Sequence, residues 1–587
     1  MRPPHAYLPP ALGDGRAWGF AVNLYALRSK RNWGIGDFTD LRTFVRFAVD
    51  LGADIVGVNP LHALHYVEPE AASPYSPTSR YFRNPLYIDI EAIPEFASDH
   101  ERAAQLRERV RSVPFTAMLD GLREAPHVAY GRVARAKYSA LEECYAVFRE
   151  NRGKRLSGFR DYCERGAERL ERFAVYEALT ERFAREHGRE RGWLKWPIEF
   201  QDATGETVRA FATKERRRVE YFKYLQWLAG DQLEAVAADA SAMSIGLYLD
   251  VAVGVDRDSA DVWFAPSAYV MRETIGAPPD PLGPSGQNWG LPPPDPGALI
   301  ADGGAAFSAL LAANMSHAGA LRLDHVMALL RLFCIPVGGA ASDGRYVAYP
   351  FEELLALASE ASVATACMIV GEDLGSVPDG FRERMEREAI FSYRLLLFER
   401  NDDGSFRAPH QYPQTALATV STHDLPSLAA WAQGRDLETR ASLGLADENE
   451  KRAGLAARRI EVTRLLEALE EAGELTPELV ARLRRTIDAA DRSVDVDIDV
   501  GDDDRGAFDE LVRAAYRFLA RTPAKLVLVQ LDDVLGERDA VNVPGTALEY
   551  PNWRRKNACD LDAIANDARV RACAADIDRL LHERNDR

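Results

Sequence analysis

Five apolar runs in this 587-residue chain end in acidic residues: Asp250, Arg322 with Asp324, Glu372 with Asp373, His423 with Asp424, and Asp532 with Asp533. One hydrophobic strand ending on a carboxylate is ordinary, but several doing so at one end would build a ring of acids. Two chemistries use such a ring. Carboxylates with histidine can hold magnesium or manganese. Alternatively, two carboxylates can cleave a glycosidic bond, one as nucleophile or base and one as acid. Metal-dependent barrel hydrolases favour several histidines, often as H-x-H on an early strand, and the first strand-like run here reads AVNLY. An arginine two residues from Asp324 also disfavours a cation there. The carbohydrate reading is therefore preferred, with no metal and no cofactor expected.

In "GALRLDHVMAL" (319–329), residues two apart on a strand share a face, which puts Arg322 beside Asp324 and turns His325 away. The pair reads either as a structural ion pair or as a carboxylate held ionised by its neighbour.

These residues need a scaffold that gathers strand ends. Strand-like runs occur at 18–27, 54–64, 245–255, 320–327, 367–375, 391–398, 416–424 and 525–535, with helical patterns between them such as 40–53 and 351–361. Alternation of this kind predicts parallel strands, and eight units predict an α/β fold of the closed (β/α)₈ TIM-barrel type, whose active site lies at the C-terminal strand ends. The expected organisation is a catalytic barrel over 1–560. Large helical insertions at 99–240 and 432–520 interrupt it, and a C-terminal helix occupies 561–587. The stretch 276–296 carries too many prolines and glycines for helix or strand and reads as a long functional loop. The acidic run 495–506 reads as a solvated loop, since EF-hand spacing is absent.

The formal net charge of −18 argues against nucleic acid or anionic membrane as partners. With 47% hydrophobic and 28% charged residues the composition is that of a globular protein. Six cysteines without CxxC spacing, no secretory signal and no transmembrane-length apolar run predict a cytoplasmic location.

"RLDH", "GEDLG" and "STHDLPS", in that order on successive strands, resemble the amylomaltases, also called disproportionating enzymes or 4-α-glucanotransferases, of glycoside hydrolase family 77. The resemblance continues through "RNWGIGDFTDL" (31–41), "ASPYSPTSR" (72–80), "GPSGQNWGLPP" (283–293), "FSYRLLLFE" (391–399), "NVPGT" (542–546) and "NWRRK" (552–556). It implies transfer of α-1,4-glucan segments between maltooligosaccharides, with glucose as a further acceptor. By the resemblance Asp324 is the nucleophile, Glu372 the general acid and base, and Asp424 the third catalytic carboxylate. Arg322 and His423 bind beside them. The aspartate expected after the third strand is Asp250, chosen over Asp256 and Asp258. Tyr75 and Trp289 are candidates to stack on glucose, and Asn542 to contact the sugar near the cleavage point. Asp373 and His325 are expected to be structural. The alternatives are a retaining α-glucan hydrolase with the same carboxylates, a non-catalytic glucan-binding protein and, remotely, a metal-dependent barrel enzyme.

Overall fold

The computed structural model describes residues 5–151, 153, 155–188, 192–279, 285–490 and 502–582. Eight strands close into a parallel barrel: β1 (Ala17–Val22), β2 (Ile55–Val58), β3 (Gly246–Val251), β4 (Ala320–Leu323), β5 (Met368–Gly371), β6 (Phe391–Leu395), β7 (Ala416–Thr419) and β8 (Leu526–Gln530). Each pairs with its sequence neighbours, and β1 with β8 shuts the ring. All eight strand-like runs of the sequence thus contribute one barrel strand each.

The two side-chain parities of these strands have different jobs. Tyr248, Ala320, Met368, Val370, Tyr393, Leu417 and Leu528 form one buried cluster, while Leu247, Leu249, Leu321, Ile369, Ala418 and Val527 belong to the larger core shared with the helices. The first set fills the lumen. Continuing its parity upward leads from Tyr248 to Asp250, from Ala320 to Arg322, and from Val370 to Glu372, so the lumen face changes from apolar to charged at the strand ends.

Helix α1 (Phe38–Asp50) follows β1, and its N-terminus explains the "RNWGIGDFTDL" stretch. Asp37 accepts from the Thr39 and Asp40 amides in a capping box, and Arg31 ties Asp37, Asp40 and Asp89 together at 2.6–3.2 Å. Between β2 and β3 the chain is mostly helical, including Glu101–Arg111, Val113–Glu124, Tyr130–Glu150, Arg155–His187 (broken at Ala167) and Arg216–Ala240. The last of these packs along α1. Helices Glu448–Glu471, Pro477–Ala490 and Asp502–Ala520 lie between β7 and β8. Most of the acidic run, 495–501, falls outside the described residues, and its remainder opens the last of these helices. Among the described residues no helix is long and apolar enough to cross a membrane.

The stretch 276–296 is not loop throughout. Part of the Pro/Gly-rich stretch 276–296 is strand, because Gly276–Ala277 and Gln287–Asn288 pair as antiparallel partners. They belong to a four-stranded sheet of Glu273–Ala277, Gln287–Asn288, Arg331–Pro336 and Arg345–Ala348. The tertiary ladder overrides the local bias, and the middle of the stretch, 280–284, lies outside the described residues.

Candidate active site

Barrel strands are short, so the acidic residues stand near their ends or on the loops that follow. Asp250 is the fifth residue of β3, and Arg322 is opposite it in the β3–β4 register. One guanidinium nitrogen of Arg322, Nη1, lies 2.9 Å from both Asp250 oxygens and 2.9 Å from Asp324 Oδ1. Tyr75 donates its hydroxyl to Asp250 at 2.6 Å. Burial raises the Asp250 pKa and Arg322 opposes this; burial also keeps the Tyr75 phenol protonated and a donor. Of the three aspartates weighed after the third strand, Asp250 is the one joined to Arg322 and Tyr75. Asp256 instead lies 3.9 Å from His65.

β4 ends at Leu323, so strand alternation does not position Asp324 and His325. The Asp324 amide still donates to the Val251 carbonyl at 3.2 Å, and the Val253 amide reaches Asp324 Oδ2 at 3.3 Å. At His325 the backbone turns left-handed, with φ 48°, a conformation uncommon for a non-glycine residue and concentrated at functional sites. The turn aims the His325 amide at Glu372 Oε2, 2.8 Å away. It also brings the His325 ring into the cleft wall, edge-on to Trp289 at 5.2 Å. Alternation had turned this residue away; the left-handed turn is the reason it faces the cleft. Burial lowers its pKa to about 4 and keeps the imidazole neutral.

Glu372 follows Gly371, where an added Cβ would meet the Val326 side chain at 2.8 Å, so the close approach of that turn requires glycine. The second Glu372 oxygen accepts from the Leu374 amide at 3.0 Å. Burial is the main cause that pushes its pKa up, to about 7, with the charge of Asp324 adding and Arg322 and the two amides opposing. Asp373 is structural. It accepts from Arg382 and from the Tyr393 amide at 2.6 and 2.7 Å on the other side of the strand.

Asp424 lies on the loop after β7. Burial favours its neutral form, but His423 at 3.3 Å and the Asn542 amide at 2.7 Å outweigh this and hold its pKa down at about 2. The His423 pKa is raised: burial lowers it, and the charge and hydrogen bond of Asp424 prevail. The imidazole stacks on Tyr75 with ring centres 4.6 Å apart. Trp553 completes this group, 5.2 Å from His423 and 5.5 Å from Tyr75. Trp553 belongs to the "NWRRK" stretch, whose residues carry no individual role in the sequence. It has φ 61°, and no local residue pattern predicts a tryptophan there. Asp532 and Asp533 do not join this cluster. Asp532 pairs with Arg555, and Asp533 accepts from Tyr516 and the Leu428 amide.

Asp324, Glu372, Asp424, Arg322, His423, Tyr75, Trp289 and Asn542 all line one cleft of about 1320 Å³, and Asp250 is reached through Arg322 and Tyr75. Among the described residues no group of three or more His, Cys, Asp or Glu side chains could hold a metal ion. The geometry offers a carboxylate 2.9 Å from a fixed guanidinium, a carboxyl held in place by two backbone amides, and a third carboxylate with imidazole and amide partners, all facing a volume able to take a chain of sugars.

The sequence model of the 4-alpha-glucanotransferases, glycoside hydrolase family 77, matches residues 22–560. This chain belongs to that family. It is 38% identical over 578 residues to the 4-alpha-glucanotransferase of Haemophilus influenzae, covering 97% of this chain and 79% of the relative. It is 34% identical over 567 residues to that of Mycobacterium tuberculosis, covering 93% and 72%. The crystal structure of the Corynebacterium glutamicum amylomaltase superposes with a TM-score of 0.82 at 28% identity, covering 98% of this chain and 77% of that one. The Streptococcus agalactiae amylomaltase, solved in complex with acarbose, shares the fold at a TM-score of 0.70 and 18% identity, covering 97% and 99%.

Proposed function

We propose that this family member is a cytoplasmic 4-α-glucanotransferase that moves segments of α-1,4-glucan onto the 4-hydroxyl of another maltooligosaccharide or of glucose, by a retaining double displacement. Glu372 gives its proton to the glycosidic oxygen as Asp324 attacks the anomeric carbon. The glycosidic bond breaks, a β-glucosyl ester of Asp324 forms, and the shortened chain leaves with the proton. The acceptor's 4-hydroxyl then loses its proton to Glu372 and attacks the same carbon. The ester breaks, and the α-linkage is restored with Asp324 ionised and Glu372 protonated as at the start. Asp424, with His423 and Asn542, binds sugar hydroxyls most tightly when the ring distorts toward the transition state. The observation that best supports this reading is the contrast between the two central carboxyls. Asp324 has a cation 2.9 Å away, whereas Glu372 is buried, backbone-held and pushed up to about 7. Environments that differ in this way support a nucleophile role for Asp324 and an acid role for Glu372.

Transfer differs from hydrolysis in whether a sugar hydroxyl or water reaches the ester first. Trp289, on the cleft wall beside His325, is suited to stack on the acceptor glucose and hold it there. Maltotriose alone is therefore expected to yield glucose, maltose and a ladder of longer oligosaccharides while total reducing ends stay nearly constant. Trp289→Ala should raise the share of hydrolysis. Chromatography alongside a reducing-end assay checks both; a steady rise in reducing ends with nothing longer than maltotriose would identify a hydrolase.

The acid role also fixes a pH dependence. Glu372 must carry its proton in the first step, so kcat/KM for maltotriose is expected to fall as pH rises through about 7, approaching tenfold per pH unit. A profile flat from pH 6 to 9 would remove Glu372 from that role.

A further inference from the structure

The four-stranded sheet that carries Trp289 toward the reaction centre extends well past it. In its register Asn288 pairs with Gly276, Gly276 with Phe333, and Phe333 with Tyr346, so these four residues form one row across the sheet and face the same side. Strands lie about 4.8 Å apart, which sets Tyr346 roughly 14 Å from the strand that ends beside Trp289. Arg331 shares the face, two residues before Phe333. Its guanidinium lies 3.8 Å from the centre of the Tyr346 ring, and Phe333 meets that ring edge-on at 5.2 Å. Tyr346 is nonetheless 40% exposed. Arg331 covers one face of the ring and Phe333 packs against it at a steep angle, while part of the residue stays open to solvent. Arg331, Phe333 and Tyr346 line the same cleft as Asp324 and Glu372.

We infer that Tyr346, backed by Arg331 and Phe333, is a distal sugar platform that takes a glucose unit of the glucan several residues beyond the bond being cut, on the side of Trp289. This rests on the proposed transferase reading and extends it to chain-length preference. The apolar C–H face of a glucose ring fits a flat aromatic ring while its hydroxyls reach the adjoining guanidinium. The occupant is identified by continuity, because a glucan running from the Glu372 side past Trp289 follows the row of the sheet to Tyr346. In the first half-reaction the site holds the departing segment, and in the second the incoming acceptor. Short sugars end before reaching it.

The test compares maltotriose with maltoheptaose in the full-length wild type and in the Tyr346→Ala and Tyr346→Phe variants, with substrate loss and products followed by chromatography. The ratio of kcat/KM for maltoheptaose to that for maltotriose is expected to fall about three- to tenfold in Tyr346→Ala, the loss of one aromatic contact. In Tyr346→Phe it should stay within about twofold of wild type, because the flat face remains. Tyr346→Leu keeps an apolar side chain on the strand and serves if the alanine variant does not fold, with the same drop expected. An unchanged ratio in Tyr346→Ala or Tyr346→Leu, or an equal drop in Tyr346→Phe, overturns the platform. Absence of transfer products from wild type with either sugar overturns the function reading itself, a failure visible before any variant is made.

Discussion

Asp324→Asn is expected to lower turnover of maltotriose by ~10⁴-fold or more, because in the proposed mechanism it removes the group that bonds to the sugar. Glu372→Gln is expected to lower it by ~10²–10⁴-fold, the range of a positioned general acid. Both substitutions are near-isosteric, and both replace a carboxylate by an amide that still accepts hydrogen bonds, so the folded structure should survive; circular dichroism and thermal melting check this. The two variants separate when the leaving group no longer needs a proton. With α-maltosyl fluoride as donor, Glu372→Gln should recover much of the rate of the first half-reaction, whereas Asp324→Asn should not, since the fluoride still requires a nucleophile. In Glu372→Gln the loss of rate above pH 7 should also disappear with this donor, because the group that titrates there is gone. More than about a tenth of wild-type turnover in either variant with maltotriose would disprove the assigned roles.

The sequence carried the barrel well because its signal is physical and local. An apolar run long enough for a strand, followed by helical periodicity, leaves few alternatives, and all eight runs became barrel strands. That Asp324, Glu372 and Asp424 would be gathered in one cleft was legible for a related reason: charge close to the end of a buried strand is costly unless it is used or paired. What the pattern could not carry is the backbone. The left-handed turn at His325 that delivers an amide to Glu372 depends on how the β4–β5 ends pack, and a histidine there looks like any other histidine. The hairpin through Gln287–Asn288 exists because Gly276 and Ala277 offer it an edge, a partner that local composition does not reveal. Trp553 is held by contacts far apart in sequence: its carbonyl accepts from Tyr130 and its amide donates to Val541.

Arg322 is the residue whose loss should damage stability and activity together, and the two effects can be told apart. Arg322→Met keeps the volume and removes the charge, leaving Asp250 buried with only the Tyr75 hydroxyl and Asp324 without its cation. Breaking a buried ion pair from one side costs ~3–5 kcal/mol, so a clear fall in melting temperature at pH 7 is expected, together with near-complete loss of turnover. The pH dependence has a definite sign. Asp250 already has its pKa raised by burial, with Arg322 opposing, and removing Arg322 raises it further. A carboxyl whose folded pKa exceeds its unfolded value costs stability above that pKa, and the cost shrinks as pH falls through it. The stability gap between Arg322→Met and wild type should therefore narrow from pH 7 to pH 5. Adding Asp250→Asn to Arg322→Met should recover part of the stability at pH 7, since one uncompensated charge is gone, without recovering activity, since Asp324 still lacks its neighbour. A gap that widens toward pH 5, or a double variant no more stable than Arg322→Met, would show that Arg322 acts by packing and not as the shared counter-charge of Asp250 and Asp324.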